Sequence, residues 1–389
     1  MKILHTSDWH LGVKTNGINR LEEQKKVLEE ILSIANFENI DCIIIAGDIF
    51  NTANPSAEAE ELFFNIIEKL SDHGNRFVFV LAGNHDDPTR IEAGLPLASK
   101  HNIALAGDLI KIKQSSFNSE AIVKVIETGK GYIKIQKNDE IATLAYLPYP
   151  SESRIMEKVD SELDYSEKVK YWASIGANAF SNESINIFVS HLFMVGSKTK
   201  DTEVRVGDLL AVTKNCIPNA DYVALGHIHT PQCLGDNMYY SGAITALSPG
   251  QTGLGVNIIE TEDNVIKKVS SVALNNVAKF EKVIINGLFE AEDALSKFDN
   301  HDIIELEIRQ NKPLSSFDIK AIKKEYPCIS SIGLIRDVHE TSSTGIVKRK
   351  VLSDIELFKS FYKDTRGVEP SNDLIEMFNS CKGDEDETN

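Results

Sequence analysis

Asp8 and His10 stand two apart in "DWH", Asp48 follows a glycine in "GD", and Asn84, His85 and Asp86 run consecutively in "GNHD". Further on, His191 closes "SH", and His227 and His229 stand two apart in "GHIH". Carboxylate, imidazole and amide oxygen are hard to borderline donors; they suit Mn²⁺, Fe or Zn²⁺ and argue against copper(I) or iron–sulfur chemistry, which wants thiolate. Any one cluster alone is ordinary: an Asp-x-His is usually accidental, and "GD" after a strand is usually a turn. Five of the ten histidines fall in these clusters, however, and the other five (His5, His73, His101, His301, His339) read as core or surface residues.

Asp8, His10, Asp48, Asn84, His191, His227 and His229 are too many ligands for one ion. A pair of ions sharing a carboxylate accommodates them, and Asp48, central in the set, is the natural bridge. Two cations about 3.5–4 Å apart clamp a phosphoryl group and activate water for in-line attack. Asn84 supplies a neutral oxygen. His85 is not needed as a ligand and can face the scissile phosphate, stabilising developing charge or protonating the departing oxygen. Asp86 has three open roles: orienting His85, capping the next helix, or serving as a plain turn residue. Imidazoles ligate only when neutral, so such a site is pH-sensitive.

The elements that must gather these residues follow from periodicity. "KILHTS", "CIIIAG" and "FVFVLAG" are short apolar runs separated by two helical patterns. In the first helix Leu21, Leu28, Ile31, Leu32 and Ala35 share a face; the second opens with Asn54 placed to cap and Pro55 at the first helical position. This β-α-β-α-β order implies parallel strands buried on both faces, with strand carboxyl ends sharing one edge where ligands bind. Residues 109–147 read as an antiparallel meander, 151–182 as helix-prone, and "INIFVSH", "YVALGHIH", "NMYYSGAIT", "GLGVNIIE" and "IKKVSSVAL" as strands. The division expected is 1–275 for the catalytic domain, 276–340 for a small α/β module, 351–381 for two short helices, and 382–389 for an acidic, disordered tail.

Bulk properties narrow the class. The 389 residues are 42% hydrophobic and 25% charged, ordinary for a globular protein, and no apolar run is long enough to span a bilayer. The start "MKILHTSDWH" lacks the apolar segment of a signal peptide. The five cysteines (Cys42, Cys216, Cys233, Cys328, Cys381) are scattered and never form Cys-x-x-Cys, which favours reduced thiols in a cytoplasm. A formal charge of −17 opposes long-range attraction to nucleic acid. Bound cations, local basic patches or a partner would have to overcome it.

The ordered set Asp8-x-His10, Gly47-Asp48, Gly83-Asn84-His85-Asp86, Ser190-His191 and Gly226-His227-x-His229 resembles the calcineurin-like metallophosphoesterases. Within them, "ILHTSDWHLG", "IIIAGDIF", "LAGNHD" and "GHIH" resemble the nucleases that work with a coiled-coil ATPase of the SbcC type. The resemblance covers nearly the whole chain. It implies an α/β sandwich of two mixed β-sheets flanked by helices, a capping domain at 276–340, and a C-terminal helical segment, "LFKSFYKDTRGVEPSNDLIEMF", that docks on the ATPase. It implies one Mn²⁺ on Asp8, His10, Asp48 and His229 and another on Asp48, Asn84, His191 and His227, with His85 catalytic; Mg²⁺, Fe or Zn²⁺ are alternatives. It also implies a homodimer and an ATP-stimulated 3′–5′ exonuclease on double-stranded DNA, with endonuclease action on single strands and hairpins, serving DNA repair, replication and recombination.

Asn51 departs from the family pattern, which has Asp there, at a position that is not a ligand. Lys198, Lys200, Lys267, Lys268, Lys348, Arg349 and Lys350 are candidate phosphate contacts, though each alone reads as solvated charge. Ser241, in "YYSGAITALSPG", is a weaker one. Two other readings compete. A metal-dependent phosphodiesterase of small nucleotides has the same core motifs but no evident need for a second domain or terminal helices. A non-catalytic scaffold would be expected to lack a ligand, and the set here is complete.

Overall fold

The structure, a computed structural model, describes residues 1–110, 112–151, 153–155, 158–160, 162–199 and 211–336, with 362, 370–371 and 374–375. Lys200, Lys348, Arg349, Lys350, Cys381, nearly all of the 351–381 segment and the 382–389 tail lie outside the described residues. Met1–Arg336 form one compact unit and Asp337–Asn389 another.

Within the first unit two sheets carry the candidate ligands. One has six strands in the order Val265–Ala273, Gly255–Glu262, Lys2–Thr6, Cys42–Ala46, Phe77–Leu81 and Ile103–Ala106. The last four are parallel; Gly255–Glu262 runs antiparallel to both of its neighbours. The other has seven, in the order Gln232–Leu234, Met238–Tyr240, Tyr222–Gly226, Ile185–His191, Glu140–Leu147, Tyr132–Lys137 and Lys124–Gly129. Met238–Tyr240, Tyr222–Gly226, Ile185–His191 and Glu140–Leu147 are parallel, and the expected meander supplies an antiparallel edge.

Side chains alternate between faces along a strand, and here both faces are covered. Leu4, Ile43, Ile45, Val78 and Val80 join the core with residues of the helices Leu21–Phe37 and Ala57–Leu70. Their neighbours Ile3, Ile44, Phe77, Phe79 and Leu81 meet Leu144, Tyr146, Ile187 and Val189 between the sheets. On the far side Phe188, Val223 and Leu225 share a core with Val169 and Trp172 of the helix Tyr165–Ala177. Burial on two faces explains the unbroken apolar runs.

Two expectations change. The strand ends do not share the edge of one sheet: "DWH", "GD" and "GNHD" end strands of the first sheet, "SH" and "GHIH" those of the second. The donors therefore meet where the two sheets face each other. Asn54 does not cap the second helix. Ser56 does, its side chain accepting from the Ala59 N–H, while the Asn54 amide oxygen accepts from Arg90 at 3.0 Å. A serine one residue before the first helical turn reaches those free N–H groups directly.

A three-stranded parallel sheet, Phe280–Ile285, Ile303–Arg309 and Ile329–Ile335, carries the helices Ala291–Leu295 and Ser316–Glu325 around its own small core. It is joined to the sandwich rather than tethered. Phe280 and Ile303 pack with Ala246 and Leu254, the Gly250 N–H donates to the Phe280 carbonyl at 2.6 Å, and Asn16 donates to Glu305 and Ser330 at 3.1 Å each.

Candidate metal centre

The chain turns abruptly after each contributing strand. Asp8, His10, Asp48 and His227 all hold left-handed backbone, with φ of 53°, 46°, 50° and 97°. Such conformations cost roughly 1–3 kcal/mol each for residues with a side chain and persist where the surroundings over-determine them. Here the Asp8 N–H donates to the Gly47 carbonyl and the His10 N–H to the Asp48 carbonyl, both at 3.0 Å. The glycines permit the crowding. At Gly47, with φ of 93°, an added Cβ would lie 2.3 Å from His191 Nδ1. At Gly83 it would lie 2.2 Å from Asp48 Oδ1.

Asp48 stands at the middle. Its Oδ2 lies 3.5 Å from His10 Nε2 and 3.4 Å from His191 Nε2, so one carboxylate oxygen faces donors of both groups. On one side are Asp8, His10 and His229, with donor atoms within 4.8 Å of one another and the His10 and His229 Nε2 atoms 3.2 Å apart. On the other, Asn84 Oδ1 lies 2.9 Å from both His191 Nε2 and His227 Nδ1. The structure thus brings together all seven residues named from the sequence as ligands.

The hydrogen bonds test whether cations fit. His191 Nδ1 donates to the Ala46 carbonyl at 2.9 Å. In neutral His191 that leaves the Nε2 lone pair facing two acceptor oxygens, of Asp48 and Asn84. Across the site, His10 Nε2 and His229 Nε2 point their ring nitrogens at each other. The His191 lone pair facing two oxygens is repulsive as it stands and fits a bound cation, while the 3.2 Å His10–His229 contact suits either a ring N–H or an ion between the two nitrogens.

Electrostatics agrees for His10, His227 and His229, whereas His191 is held protonated near pH 7 by Asp48, a proton that a bound cation would displace. Burial, reinforced by the positive charge of neighbouring imidazoles, holds His10 well below the usual histidine range, His227 at about 3 and His229 at about 4; Asp48 opposes in each case. All three are neutral near pH 7, as ligation requires. Burial pushes Asp8 up to about 7, with Asp48 adding and His191 opposing. For Asp48 burial acts upward too, but the charge and hydrogen bond of His191 together with the charges of His10 and His85 hold the carboxyl well below its ordinary value. His191 mirrors this: burial acts downward, yet Asp48 raises it to about 9. Two carboxylates buried this closely are the environment that divalent cations relieve.

His85 borders the seven candidate ligands, a ring nitrogen lying within 4.8 Å of donor atoms of His10 and Asp48. Its side chain is 35% exposed and lies in a cleft of about 480 Å³ bordered by Lys14, Asn16, Leu247, Ser248 and Glu305. Its Nδ1 donates to the Asn51 carbonyl at 2.8 Å, which fixes the tautomer and turns Nε2 away from that contact. Because the contact is to main chain, the Asn51 side chain, where the family pattern differs, does not matter to it.

Residues 1–231 match the family described as calcineurin-like phosphoesterase. The chain is 32% identical over 396 residues to the SbcD component of the SbcCD nuclease of Bacillus subtilis, spanning 97% of each chain. It is 26% identical over 391 residues to the protein of the same name from Staphylococcus epidermidis, spanning 94% of this chain and 93% of that one. The chain belongs to the SbcD branch of the calcineurin-like phosphoesterases. It is therefore a metal-dependent nuclease, built as an α/β sandwich of mixed sheets with flanking helices.

The SbcD-type site departs in several places from a reading by motif. Asp86 neither orients His85 nor caps a helix; Asp87 caps Pro88–Ala93, accepting from the Arg90 N–H at 2.9 Å. The Asp86 carboxylate is fully buried and accepts from the N–H groups of Gly83, Ile49 and Phe50 at 2.8, 3.1 and 2.9 Å, tying the loop of Asp48 to the loop of Asn84. Ser241 is buried at 1% exposure and 2.8 Å from Ser7 Oγ, which in turn donates to Asp8 Oδ2, so it supports a ligand and is not available to DNA. Lys267 and Lys268 lie on an edge strand, 3.8 Å from Glu262 and 3.4 Å from Glu260, and do not line the cleft. Lys198 also lies away from the cleft; its backbone N–H donates to Gln232. Sequence reasoning missed Ser7, which sits inside the first motif and donates to the adjacent Asp8, and also Tyr149 and Arg154, which carry no motif and act through neighbours distant in sequence.

Proposed function

We propose that this nuclease hydrolyses DNA phosphodiesters as the 3′–5′ exonuclease and single-strand or hairpin endonuclease of an SbcCD-type complex. The carrying observation is Asp48 Oδ2 set between His10 and His191, with His85 beside it in the open cleft. Asp8, His10, Asp48 and His229 would hold one Mn²⁺, and Asp48, Asn84, His191 and His227 the other. When bound, the pair neutralises phosphate charge and activates water. The chain's own part is positional. Asp48 keeps the two ligand sets in register, the Asn51 carbonyl holds the His85 ring, and His85 Nε2 delivers charge stabilisation or a proton to the departing oxygen. DNA repair and recombination follow from the same reading.

The relatives carry the name of one component of SbcCD, which supports an SbcC-type ATPase as partner. It would engage residues 351–381 and supply the DNA-binding surface that a chain of charge −17 lacks. The module of residues 276–340 would cap the cleft, as Glu305 and Phe280 line it. The homodimer of the same reading would cover exposed apolar side chains such as Phe64 (43% exposed) and Leu97 (71% exposed). The free cysteines among the described residues favour a cytoplasmic site, and no described helix is long and apolar enough to cross a membrane.

The test is incubation of linear duplex DNA with Mn²⁺, with and without the ATPase partner. Digestion from 3′ ends, stimulated by ATP, is expected. Hydrolysis of a small nucleotide diester with no DNA digestion in either condition would favour the small-substrate reading.

A further inference from the structure

We infer that Arg154 is a positioning residue that sets the backbone of the Gly83–Asp86 loop, and through it the aim of Asn84 and His85. Its guanidinium donates to the carbonyls of Gly83 and Asp86 at 2.9 and 3.0 Å and to that of Asn84 at 2.7 Å. The amides of the same loop are gripped by carboxylates: the Gly83 N–H by the loop's own Asp86, and the His85 N–H by Asp48 Oδ1 at 2.8 Å. With N–H groups held by carboxylates and carbonyls by a cation, the peptide planes of the loop lose their freedom to rock. A side chain projecting from such a plane moves with it, so Asn84 Oδ1 stays 2.9 Å from the nitrogens of His191 and His227.

The same guanidinium reaches the second sheet. It lies 5.9 Å over the Tyr149 ring, and that ring stacks on His227 at 6.1 Å and 29°. The Tyr149 N–H donates to the Ala82 carbonyl at 3.3 Å, immediately before the loop. Arg154 thus braces two members of one ligand set, Asn84 and His227, and makes no contact of this kind with Asp8, His10 or His229. A lysine cannot replace it, because an ammonium is a point donor without the planar fork that spans three carbonyls.

The inference rests on Asn84 and His227 being ligands. The experiment measures Mn²⁺ binding by calorimetry and spin resonance, amide hydrogen exchange of residues 83–86 in the metal-free protein, and turnover of bis(p-nitrophenyl) phosphate. Wild type, Arg154→Lys and Arg154→Ala are compared. Both variants are expected to keep one ion, weaken the other by about 10–100-fold, and lose kcat by a similar factor with KM little changed. Exchange in the loop should rise while the thermal midpoint moves little. Wild-type exchange and two-ion affinity in both variants would overturn the inference alone, as would equal loss of both ions together with collapse of the fold. A wild type binding fewer than two ions would overturn the ligand assignment and this inference with it.

Discussion

Replacing Gly83 by alanine adds one methyl at the tightest point of the site. The new carbon would lie 2.2 Å from Asp48 Oδ1, 2.3 Å from Asp48 N and 2.9 Å from Asp48 Cγ, where contacts under 3.0 Å essentially never occur. Relief requires the two loops to part by roughly 1 Å. Two of the three atoms belong to the carboxylate proposed as the bridge, and the third to its backbone, so no flexible side-chain end can swing aside. The His85 N–H bond to Asp48 Oδ1, now 2.8 Å, would stretch beyond hydrogen-bonding range. A misplacement of about 1 Å can cost on the order of 10²-fold in rate, and one lost hydrogen bond about 1 kcal/mol in stability. Gly83→Ala should therefore fold, melt a few degrees lower, and turn over bis(p-nitrophenyl) phosphate roughly 100-fold more slowly at saturating Mn²⁺. Gly333→Ala is the control, since its added carbon would meet only Glu307 Cγ at an ordinary 3.5 Å. Wild-type kcat and two-ion binding in folded Gly83→Ala would refute the claim that strand-end crowding sets the bridge.

His85→Ala should keep both ions by calorimetry and lose kcat by roughly 10²–10⁴-fold, and loss of an ion would overturn its role. His5 is buried between the sheets with Nδ1 3.0 Å from the Tyr222 hydroxyl, and burial lowers it to about 3, with a backbone bond opposing. Because its folded value lies below the unfolded 6.5, the stability it contributes is present above pH 6.5 and is lost as pH falls toward 3. Chemical denaturation of the metal-free protein should show about 1.4 kcal/mol per pH unit of extra loss below pH 6.5 relative to His5→Gln, and parallel curves would refute it. In the proposed homodimer, Leu97→Glu should shift sedimentation from dimer to monomer; a wild type that sediments as a monomer would refute the dimer, and an unchanged dimer would place the interface elsewhere.

Much of the site was legible because its residues keep a local habit: each stands directly after an apolar run that ends in a polar turn. Asp8, Asp48, Asn84, His191 and His227 could be found that way because a buried strand announces its end in composition. Arg154 and Tyr149 could not, since nothing in "PYPSESR" distinguishes an arginine that grips carbonyls about seventy positions earlier from one in solvent. Asp86 was found but its work was not. Its partners are backbone N–H groups, and every residue but proline offers one, so no side-chain pattern reveals them.

The amino-acid order alone determined most of the strands and helices and the donor chemistry, though not the edge strands Ile103–Ala106 and Gln232–Leu234, because period, turn residues and ligand type are properties of short segments. Only the tertiary structure decided that the donors come from two sheets, that Asp48 Oδ2 faces His10 and His191 together, and that Ser241 points inward. Those facts depend on how sheets stack and on distances of a few ångströms between residues as far apart in the chain as Ser7 and Ser241, which packing sets and local sequence does not.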